Sequence, residues 1–286
     1  MKIGVIGNGF VGHATSLLAC KDVTCSIYDI DPTKCSPLHT TPQDIYECDI
    51  IFIAVPTPME QNGMCHLHII EGIIENMKKH IDLSKSLVVL RSTIPPGTAN
   101  RLQCYFMPEF LTEKNYTHDF IHNNKWIFGL KDINTCTEQN AHFTQTITQL
   151  INIAHAHDAI KYNHVHFIPN TEAEMVKLFR NTFLATKVSF CNEMSEFCAL
   201  KNIDYATVAQ YATLDTRITN SHTHVPGPDG KLGFGGTCFP KDCNNVQYEM
   251  NKVGMKSYII SNVLARNVEK DRPEQDWTLN KNRAVI

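Results

Sequence analysis

Apolar runs alternate with helical patterns along residues 1–169 of the chain. The runs are short, rich in β-branched residues and bounded by turn residues, which is typical of buried strands. The predicted strands are Lys2–Ile6, Thr24–Tyr28, Cys48–Val55, Ser86–Leu90, Tyr105–Met107, Trp126–Gly129 and Val165–Ile168. Helical patterns such as Leu67–His80 and Glu138–His155 separate them. This alternation predicts an α/β, Rossmann-type doubly wound sheet of six or seven strands over residues 1–169.

The pattern changes at residue 170, where a long amphipathic helix is predicted to run to about Lys201. Thr171 followed three residues later by Glu174 predicts a capping box at its start. Its predicted buried stripe comprises Val176, Phe179, Phe183 and Leu184. The remaining sequence shows helical patterns and loops without a convincing strand, so we predict an all-helical second domain over residues 170–286.

Composition, charge and the N-terminal sequence argue against nucleic-acid-binding, membrane and metal-binding classes of protein. A net charge of −3 provides no basic field for nucleic acid, so no nucleic-acid partner is expected. The N-terminus runs straight into a strand without signal-peptide zones, and apolar runs such as Ile50–Val55 are too short for a bilayer. We expect a cytoplasmic protein with no membrane partner. Eleven cysteines without regular spacing indicate free thiols, and the histidine clusters lack zinc-ligand spacing, so no metal is expected.

A glycine-rich turn follows the first strand directly. Gly7, Gly9 and Gly12 form G-x-G-x-x-G between a strand and a helix, the setting in which this motif binds a pyrophosphate. Asp29 ends the second strand, where a carboxylate can bind a ribose 2′-hydroxyl and repel a 2′-phosphate. The alternative for the glycines alone is a plain turn between strand and helix. With Asp29, the sequence predicts NAD as the cofactor in preference to NADP.

Polar residues recur at the ends of the later strands. Thr57 and Thr93 lie in turns after the third and fourth strands, at the edge of the sheet where ligands bind. Glu109 and Glu113 follow the fifth strand, and such carboxylates can act as a base and a water-positioning group. A solvated charged loop is the alternative interpretation of this stretch.

A second glycine cluster precedes Cys238, in Gly233–Asp242. The glycines leave space for a ligand near the main chain, and Pro240 suits the first turn of a helix predicted over about Lys241–Met255. A helix N-terminus and Lys241 would both favour the thiolate of Cys238. The alternative is a buried structural cysteine.

Taken in order, these motifs resemble the UDP-glucose/GDP-mannose dehydrogenase family. The residues that carry the resemblance are Gly7–Gly12, Val55–Pro58, Ser92–Pro95, Pro108–Leu111, Ala173–Lys177 with Asn181, and Gly233–Asp242. The resemblance extends over about residues 1–270. It implies an NAD-dependent, two-step oxidation of the C6 alcohol of a nucleotide sugar to a carboxylate, with UDP-glucose as the preferred substrate.

The resemblance also implies roles for individual residues. Cys238 resembles the nucleophile, which forms a thiohemiacetal and then a thioester, and Lys177 and Asn181 resemble the pair that stabilises the oxyanion. Asp242, Thr93 and Glu113 resemble the residues that hold the catalytic water, and Glu109 resembles the carboxylate of thioester hydrolysis. Predicted cofactor contacts are Gly7, Asn8, Gly9, Phe10, Val11, Gly12, Asp29, Lys34, Val55, Pro56, Thr57, Thr93 and Lys241. Predicted substrate contacts are Phe110, Leu111, Lys177, Asn181, Arg217, Lys231, Phe234 and Gly235.

Arg217 resembles the arginine that reaches the partner's substrate in the family's dimer, so a homodimer is expected. Family members usually continue with a third domain, which we expect this chain, ending at Ile286, to lack. The loop Val225–Leu232 looks longer than usual, and we predict that Lys231 in it binds the pyrophosphate of the substrate.

The sequence is compatible with three other functions. GDP-mannose or a UDP-N-acetylhexosamine is the alternative substrate within the family. A single-step β-hydroxyacid dehydrogenase pairs a similar cofactor domain with a helical one, but needs no cysteine nucleophile. A paralogue that binds NAD or a nucleotide sugar without catalysis is the third alternative.

Overall fold

The computed structural model describes residues 1–132 and 134–286. Its contacts divide the chain into two compact units. The first unit comprises Met1–Thr57 and Leu67–Lys177, and the second comprises Pro58–His66 and Leu178–Ile286. The predicted domain boundary at 169/170 coincides with the start of a long helix, whereas the units divide within that helix.

The first unit is built on a seven-stranded sheet. Its strands are β1 (Lys2–Ile6), β2 (Thr24–Tyr28), β3 (Ile50–Ile53), β4 (Leu87–Leu90), β5 (Tyr105–Phe106), β6 (Trp126–Leu130) and β7 (Val165–Pro169). They are ordered β2-β1-β3-β4-β5-β6-β7, and neighbouring strands are parallel except β5 and β6. The predicted Rossmann-type sheet is therefore confirmed.

Ten α-helices accompany the sheet in the described part of the chain. They are α1 (Phe10–Ser16), α2 (Pro42–Tyr46), α3 (His68–Met77), α4 (Thr98–Arg101), α5 (Tyr116–Ile121), α6 (Thr137–Ala156), α7 (Asn170–Leu200), α8 (Tyr205–Ala212), α9 (Phe239–Lys252) and α10 (Ile259–Arg266). None of these helices has both the length and the apolar character needed to cross a membrane, for residues 1–132 and 134–286.

Both faces of the sheet are covered, which explains why the strands read as continuous apolar runs. Alternate residues of β3 point to opposite faces: Phe52 joins one core cluster with Phe143 of α6, and Ile51 joins the other with Ile70 and Ile74 of α3. All five side chains are at most 1% exposed. This packing holds the loops at the carboxyl ends of the strands in place.

The start of α7 differs from the prediction. Thr171 lies inside the helix, and its Oγ1 donates to Glu172 at 2.6 Å. Glu174 accepts backbone N–H groups from Gly97 at 2.5 Å and Ala99 at 2.7 Å, at the N-terminus of α4. The predicted capping box is wrong, because a partner distant in sequence takes the Glu174 carboxylate.

The predicted buried stripe of α7 is also wrong. Phe179 and Phe183 are 64% and 59% exposed, whereas the buried positions include Lys177, Asn181 and Ala185. Lys177 pairs with the buried carboxylate of Glu109, and Asn181 with that of Asp242, so these two polar side chains are buried. The phenylalanines are consequently left on the outside.

Glu174 gives the first unit a dependence on pH. Burial raises its pKa to about 7, against the lowering effect of the Ala99 and Gly97 N–H groups. The folded state therefore binds this proton more tightly than the unfolded state, and stability decreases as pH rises from about 4.5 to about 7. In Glu174→Gln this decrease should be absent, which changes the pH dependence of the unfolding free energy by about 3 kcal/mol.

Urea unfolding of both proteins between about pH 5 and about pH 7.5 measures this difference. Glu172→Gln, a change at an exposed position two residues earlier on α7, is the matched control and should keep the wild-type dependence. Parallel curves for wild type and Glu174→Gln would contradict the raised pKa.

Candidate active site

The glycine-rich turn after β1 has little space inside and an open outer face. Gly7 has φ +96°, which other residues rarely adopt, and a Cβ at Gly12 would overlap the Gly7 carbonyl oxygen. A Cβ at Gly9, directly before α1, would meet no atom within 4 Å. The turn therefore requires glycine for its own conformation at Gly7 and Gly12, and leaves room for a ligand at Gly9.

Asp29 supports this turn from the end of β2. Its carboxylate accepts the N–H of Asn8 at 2.7 Å and that of Asp31 at 2.9 Å. The Asn8 amide donates to the carbonyl of Lys34 at 2.6 Å, while its Oδ1 is buried and has no hydrogen-bond partner among the described residues. An acidic residue at this strand end and an unsatisfied acceptor in the turn fit a dinucleotide with its ribose hydroxyls. Phe10 and Val11 begin α1 beside it.

The loops after β3 and β4 are joined by two side-chain hydrogen bonds. Thr57 Oγ1 donates to the carbonyl of Thr93 at 2.8 Å, and Ser92 Oγ donates to the carbonyl of Val55 at 2.6 Å. The structure thus brings Val55, Pro56, Thr57 and Thr93 to the same edge of the sheet. Ser92 was not predicted as a site residue, although it stands within the motif that includes Thr93.

Glu109 and Lys177 form a buried ion pair in the first unit. Their exposures are 5% and 2%, and the second oxygen of Glu109 accepts the N–H of Leu111 at 2.9 Å. Burial raises the pKa of Glu109, but Lys177, the Leu111 N–H and Arg91 outweigh it and hold that pKa below its ordinary value. Glu109 is therefore ionised at neutral pH. Sequence reasoning missed Arg91, whose signal was a charged residue directly after the apolar strand β4.

The cysteine motif lies in the second unit, where backbone hydrogen bonds hold its first glycines. Asn192 of α7 accepts the Gly233 N–H at 3.1 Å. Asn267 accepts the N–H of Phe234 at 2.8 Å and donates to its carbonyl at 2.9 Å. Cys238 is half-buried and directly precedes α9. As predicted, Pro240 lies in the first turn of a helix, although the helix begins at Phe239 instead of Lys241.

Asp242 connects the predicted residues of the second unit. It is fully buried; one oxygen accepts the amide of Asn181 at 2.6 Å, and the other accepts Lys241 Nζ at 2.6 Å. Burial alone would lower the pKa of Lys241, but Asp242, Cys65 and Cys238 raise it above its ordinary range. The Lys241 ammonium is therefore charged and lies near Cys238.

Cys65 was not predicted near this group. It lies in the segment Pro58–His66, which is distant in sequence from α9 but belongs to the same compact unit. Met59 of that segment pairs with the end of the chain, donating its N–H to the Ala284 carbonyl at 2.9 Å. Nothing in the local sequence around Cys65 distinguishes it from the other cysteines.

The predicted substrate residues have varied surroundings. Arg217 is 87% exposed in its side chain and forks onto Asp215 at 2.5–3.1 Å. Lys231 contacts Glu274 at 3.1 Å and Asp276 at 2.8 Å, so its charge is already matched. Phe234 is buried, Gly235 lies against Arg272, and Phe110 and Leu111 are half-buried. These residues remain predicted contacts. Glu113, predicted to hold the catalytic water, is exposed.

Two regions of the chain match one family of known proteins. Residues 38–147 match the NAD binding domain of the UDP-glucose/GDP-mannose dehydrogenase family, and residues 171–269 match its central domain. The UDP-glucose 6-dehydrogenase of Rickettsia typhi is 28% identical over 92% of this chain and 67% of its own length. The chain therefore spans about two thirds of that relative. The family's NAD binding domain confirms the predicted cofactor.

Solved structures share the fold. A UDP-glucose dehydrogenase from Pyrobaculum islandicum matches with a TM-score of 0.77 and 26% identity, over 94% of this chain and 68% of that one. The 3-hydroxyisobutyrate dehydrogenase of Mycobacterium tuberculosis matches with a TM-score of 0.65 over 94% of both chains, at 16% identity. The latter likeness shows a common fold alone.

Proposed function

Since the chain belongs to the UDP-glucose/GDP-mannose dehydrogenase family, we propose that it oxidises the C6 hydroxyl of UDP-glucose to the carboxylate of UDP-glucuronate. The observation that carries the proposal is the position of Cys238, directly before α9 and near the charged Lys241. NAD, when bound, accepts the hydride that leaves C6 in each of two oxidations. The proposed location of the protein is the cytoplasm.

Cys238 serves the second oxidation. An aldehyde can lose a hydride only after a nucleophile has added to its carbonyl carbon. The Cys238 thiolate adds to that carbon and forms a thiohemiacetal, and loss of the hydride leaves a thioester. Water then adds to the thioester, its two protons pass to a base and to solvent, the carbon–sulfur bond breaks, and the carboxylate and the thiolate are released.

The hydrogen bonds of Asp242 support this role. Because its two oxygens hold Asn181 and Lys241, the amide and the ammonium have fixed orientations. We assign Asn181 to the oxyanion of the thiohemiacetal, where a donor stabilises developing charge. The family resemblance gives Lys177 the same task, Glu109 the hydrolysis of the thioester, and Thr93, Glu113 and Asp242 the catalytic water.

We further propose a homodimer in which Arg217 reaches the partner's substrate. The support is an exposed row of phenylalanines on α7, which we call the phenylalanine face: Phe179, Phe183, Phe190 and Phe197, each 51–64% exposed. Spacings of four and seven residues place them along one side of the helix. A row of large apolar side chains on the surface is typical of a protein–protein interface.

Replacing Phe179 and Phe183 together by glutamate should convert the dimer to a monomer, because association would bury the two new charges. Sedimentation velocity measures the change in mass. Met255→Glu, at another exposed apolar position, is the control and should leave the dimer intact. A wild-type protein that is monomeric at all concentrations would contradict the dimer.

A panel of nucleotide sugars with NAD tests the proposed substrate. NADH formation should be fastest with UDP-glucose; GDP-mannose or a UDP-N-acetylhexosamine is the alternative within the family. Turnover absent across the panel, with NAD still bound, would instead establish a non-catalytic paralogue.

The other enzyme class that the sequence left open is a single-step β-hydroxyacid dehydrogenase. Such an enzyme would form one NADH per substrate and keep full activity in Cys238→Ser.

A further inference from the structure

A second cation, Arg91, is buried near Glu109. Arg91 directly follows β4, and its backbone N–H donates to the Ile53 carbonyl of β3 at 2.8 Å. Its side chain is 2% exposed and lies over the Phe120 ring, 5.8 Å from the centroid. Nε and Nη1 have no hydrogen-bond partner among the described residues. A guanidinium in this position is costly for folding unless an opposite charge offsets its burial.

Glu109 supplies that opposite charge. Burial lowers the pKa of Arg91 to about 10, and Glu109 acts in the raising direction. Conversely, Lys177 and Arg91 both act to lower the pKa of Glu109. Glu109 therefore has two cations near it, Lys177 from α7 and Arg91 from the end of β4, whereas an ion pair needs only one.

The second cation matters because Lys177 has two tasks in the proposed function. In the structure its ammonium pairs with Glu109, and in the reaction the same ammonium would donate to an oxyanion of the substrate. Each time Lys177 turns to the substrate, Glu109 loses a counter-charge while it stays buried. A buried carboxylate without a counter-charge takes up a proton, and a protonated carboxyl cannot act as a base.

We propose that Arg91 is a positioning residue that keeps Glu109 ionised while Lys177 serves the oxyanion. The inference rests on the proposed function, and it requires no contact between Arg91 and the substrate. Arg91 follows β4, and Glu109 follows the neighbouring strand β5. Two of the buried guanidinium nitrogens have no hydrogen-bond partner among the described residues, so Arg91 is suited to a purely electrostatic role.

Arg91→Met removes the charge and keeps a long apolar side chain. The acid limb of kcat should move up by about 1 pH unit, the low end of the effect of an opposite charge on a carboxyl pKa, because Glu109 then has no cation left when Lys177 turns to the substrate. The KM for the nucleotide sugar should stay within about twofold. Thioester hydrolysis becomes rate-limiting below the new pKa, so single-turnover experiments should show rapid formation of NADH followed by slow release of the carboxylate.

Two further variants separate this role from a structural one. Arg91→Lys restores a cation and should return the acid limb most of the way to its wild-type position. Arg101→Met removes an exposed arginine that pairs with Glu71 at 2.8 Å, and should change neither kcat nor its pH profile. A fall in kcat at every pH with an unmoved acid limb would overturn the proposal. So would an acid limb that is shifted as far in Arg91→Lys as in Arg91→Met.

A double variant tests whether Arg91 acts through Glu109. Adding Arg91→Met to Glu109→Gln should lower kcat no further than Glu109→Gln alone, and a fully additive loss would contradict the mechanism.

Isotope-edited infrared spectra, taken as the difference between wild type and Glu109→Gln, report the protonation of Glu109 without turnover. The spectra are taken in the Lys177→Met background, which lacks the first cation; the band of the protonated carboxyl should appear at higher pH when Arg91→Met is added, and an unmoved band would overturn the proposal. The infrared measurement of Glu109 protonation does not require turnover of a nucleotide sugar. Failure of the proposed function and failure of the Arg91 inference are therefore distinguishable.

Discussion

Cys238→Ser should lose the second oxidation and lower the steady-state formation of UDP-glucuronate by about 10³-fold or more, the scale on which loss of an enzymatic nucleophile acts. A serine hydroxyl is a far weaker nucleophile than a thiolate beside Lys241. The first oxidation needs no covalent bond to the protein, so one NADH per sugar should still form. Quenched-flow counting of NADH, with mass spectrometry of the intact protein, measures both consequences.

The matched control is Cys20→Ser. Cys20 is half-buried like Cys238 but lies in the first unit, whereas Cys238 lies in the second. Cys20→Ser should form two NADH per sugar at the wild-type rate. Wild-type protein quenched during turnover should carry the mass of a sugar nucleotide on Cys238, and Cys238→Ser should not. Full activity of the serine variant would remove the cysteine mechanism and favour the single-step alternative.

Asp242→Asn should be the most destabilising of the single changes, by about 3–5 kcal/mol in the free energy of unfolding. The variant leaves the buried Lys241 ammonium without its carboxylate, and an amide offers only one acceptor where Asn181 and Lys241 need two. Activity should fall with stability, because Asn181 and Lys241 lose the group that orients them. Urea unfolding measures the first effect, and NADH formation under folding conditions measures the second.

Glu249→Gln provides the comparison within the same helix. Glu249 pairs with the exposed Lys252 at 3.2 Å near the end of α9, so its loss should produce no measurable change in stability or turnover. If Asp242→Asn were equally silent, the buried network would have no role in holding the cysteine motif. A stable but inactive Asp242→Asn would place its effect in the reaction alone.

The sheet and the dinucleotide turn were predictable because their signals are local. A buried parallel strand needs apolar residues on both faces, and β1 and β2 begin and end where the sequence predicts. The β3 prediction was longer than the strand, since the apolar run continues beyond Ile53 into the loop before Pro56. The conformation of Gly7 likewise follows from a motif within six residues.

The orientation of α7 could not be predicted in the same way. Phe179 looks like a core residue and Lys177 like a surface residue if the helix is taken alone. Lys177 is buried because it pairs with Glu109, 68 residues away in sequence. Asn181 is buried because it donates to Asp242, 61 residues away, and Phe179 is left exposed. The capping box was wrong for the same reason, because Glu174 pairs with N–H groups of α4.

The candidate site shows a similar division. The place of Cys238 directly before a helix was predictable from Pro240, whereas the surroundings of Arg91 and Cys65 depend on residues distant in sequence. The structure also gives Lys231 two carboxylate partners, Glu274 and Asp276, so binding of a pyrophosphate there would require it to leave both. Pairing of Lys231 with carboxylates 43 and 45 residues away cannot be read from the prolines and glycines of its loop.

The ratio of NADH formed to UDP-glucose consumed tests the central claim most directly, since it distinguishes a thioester-forming dehydrogenase from a single-step one. Purified protein with NAD and limiting UDP-glucose should yield two NADH and one UDP-glucuronate for each sugar, with no aldehyde released. A ratio of one, with the aldehyde as the final product, would contradict the account.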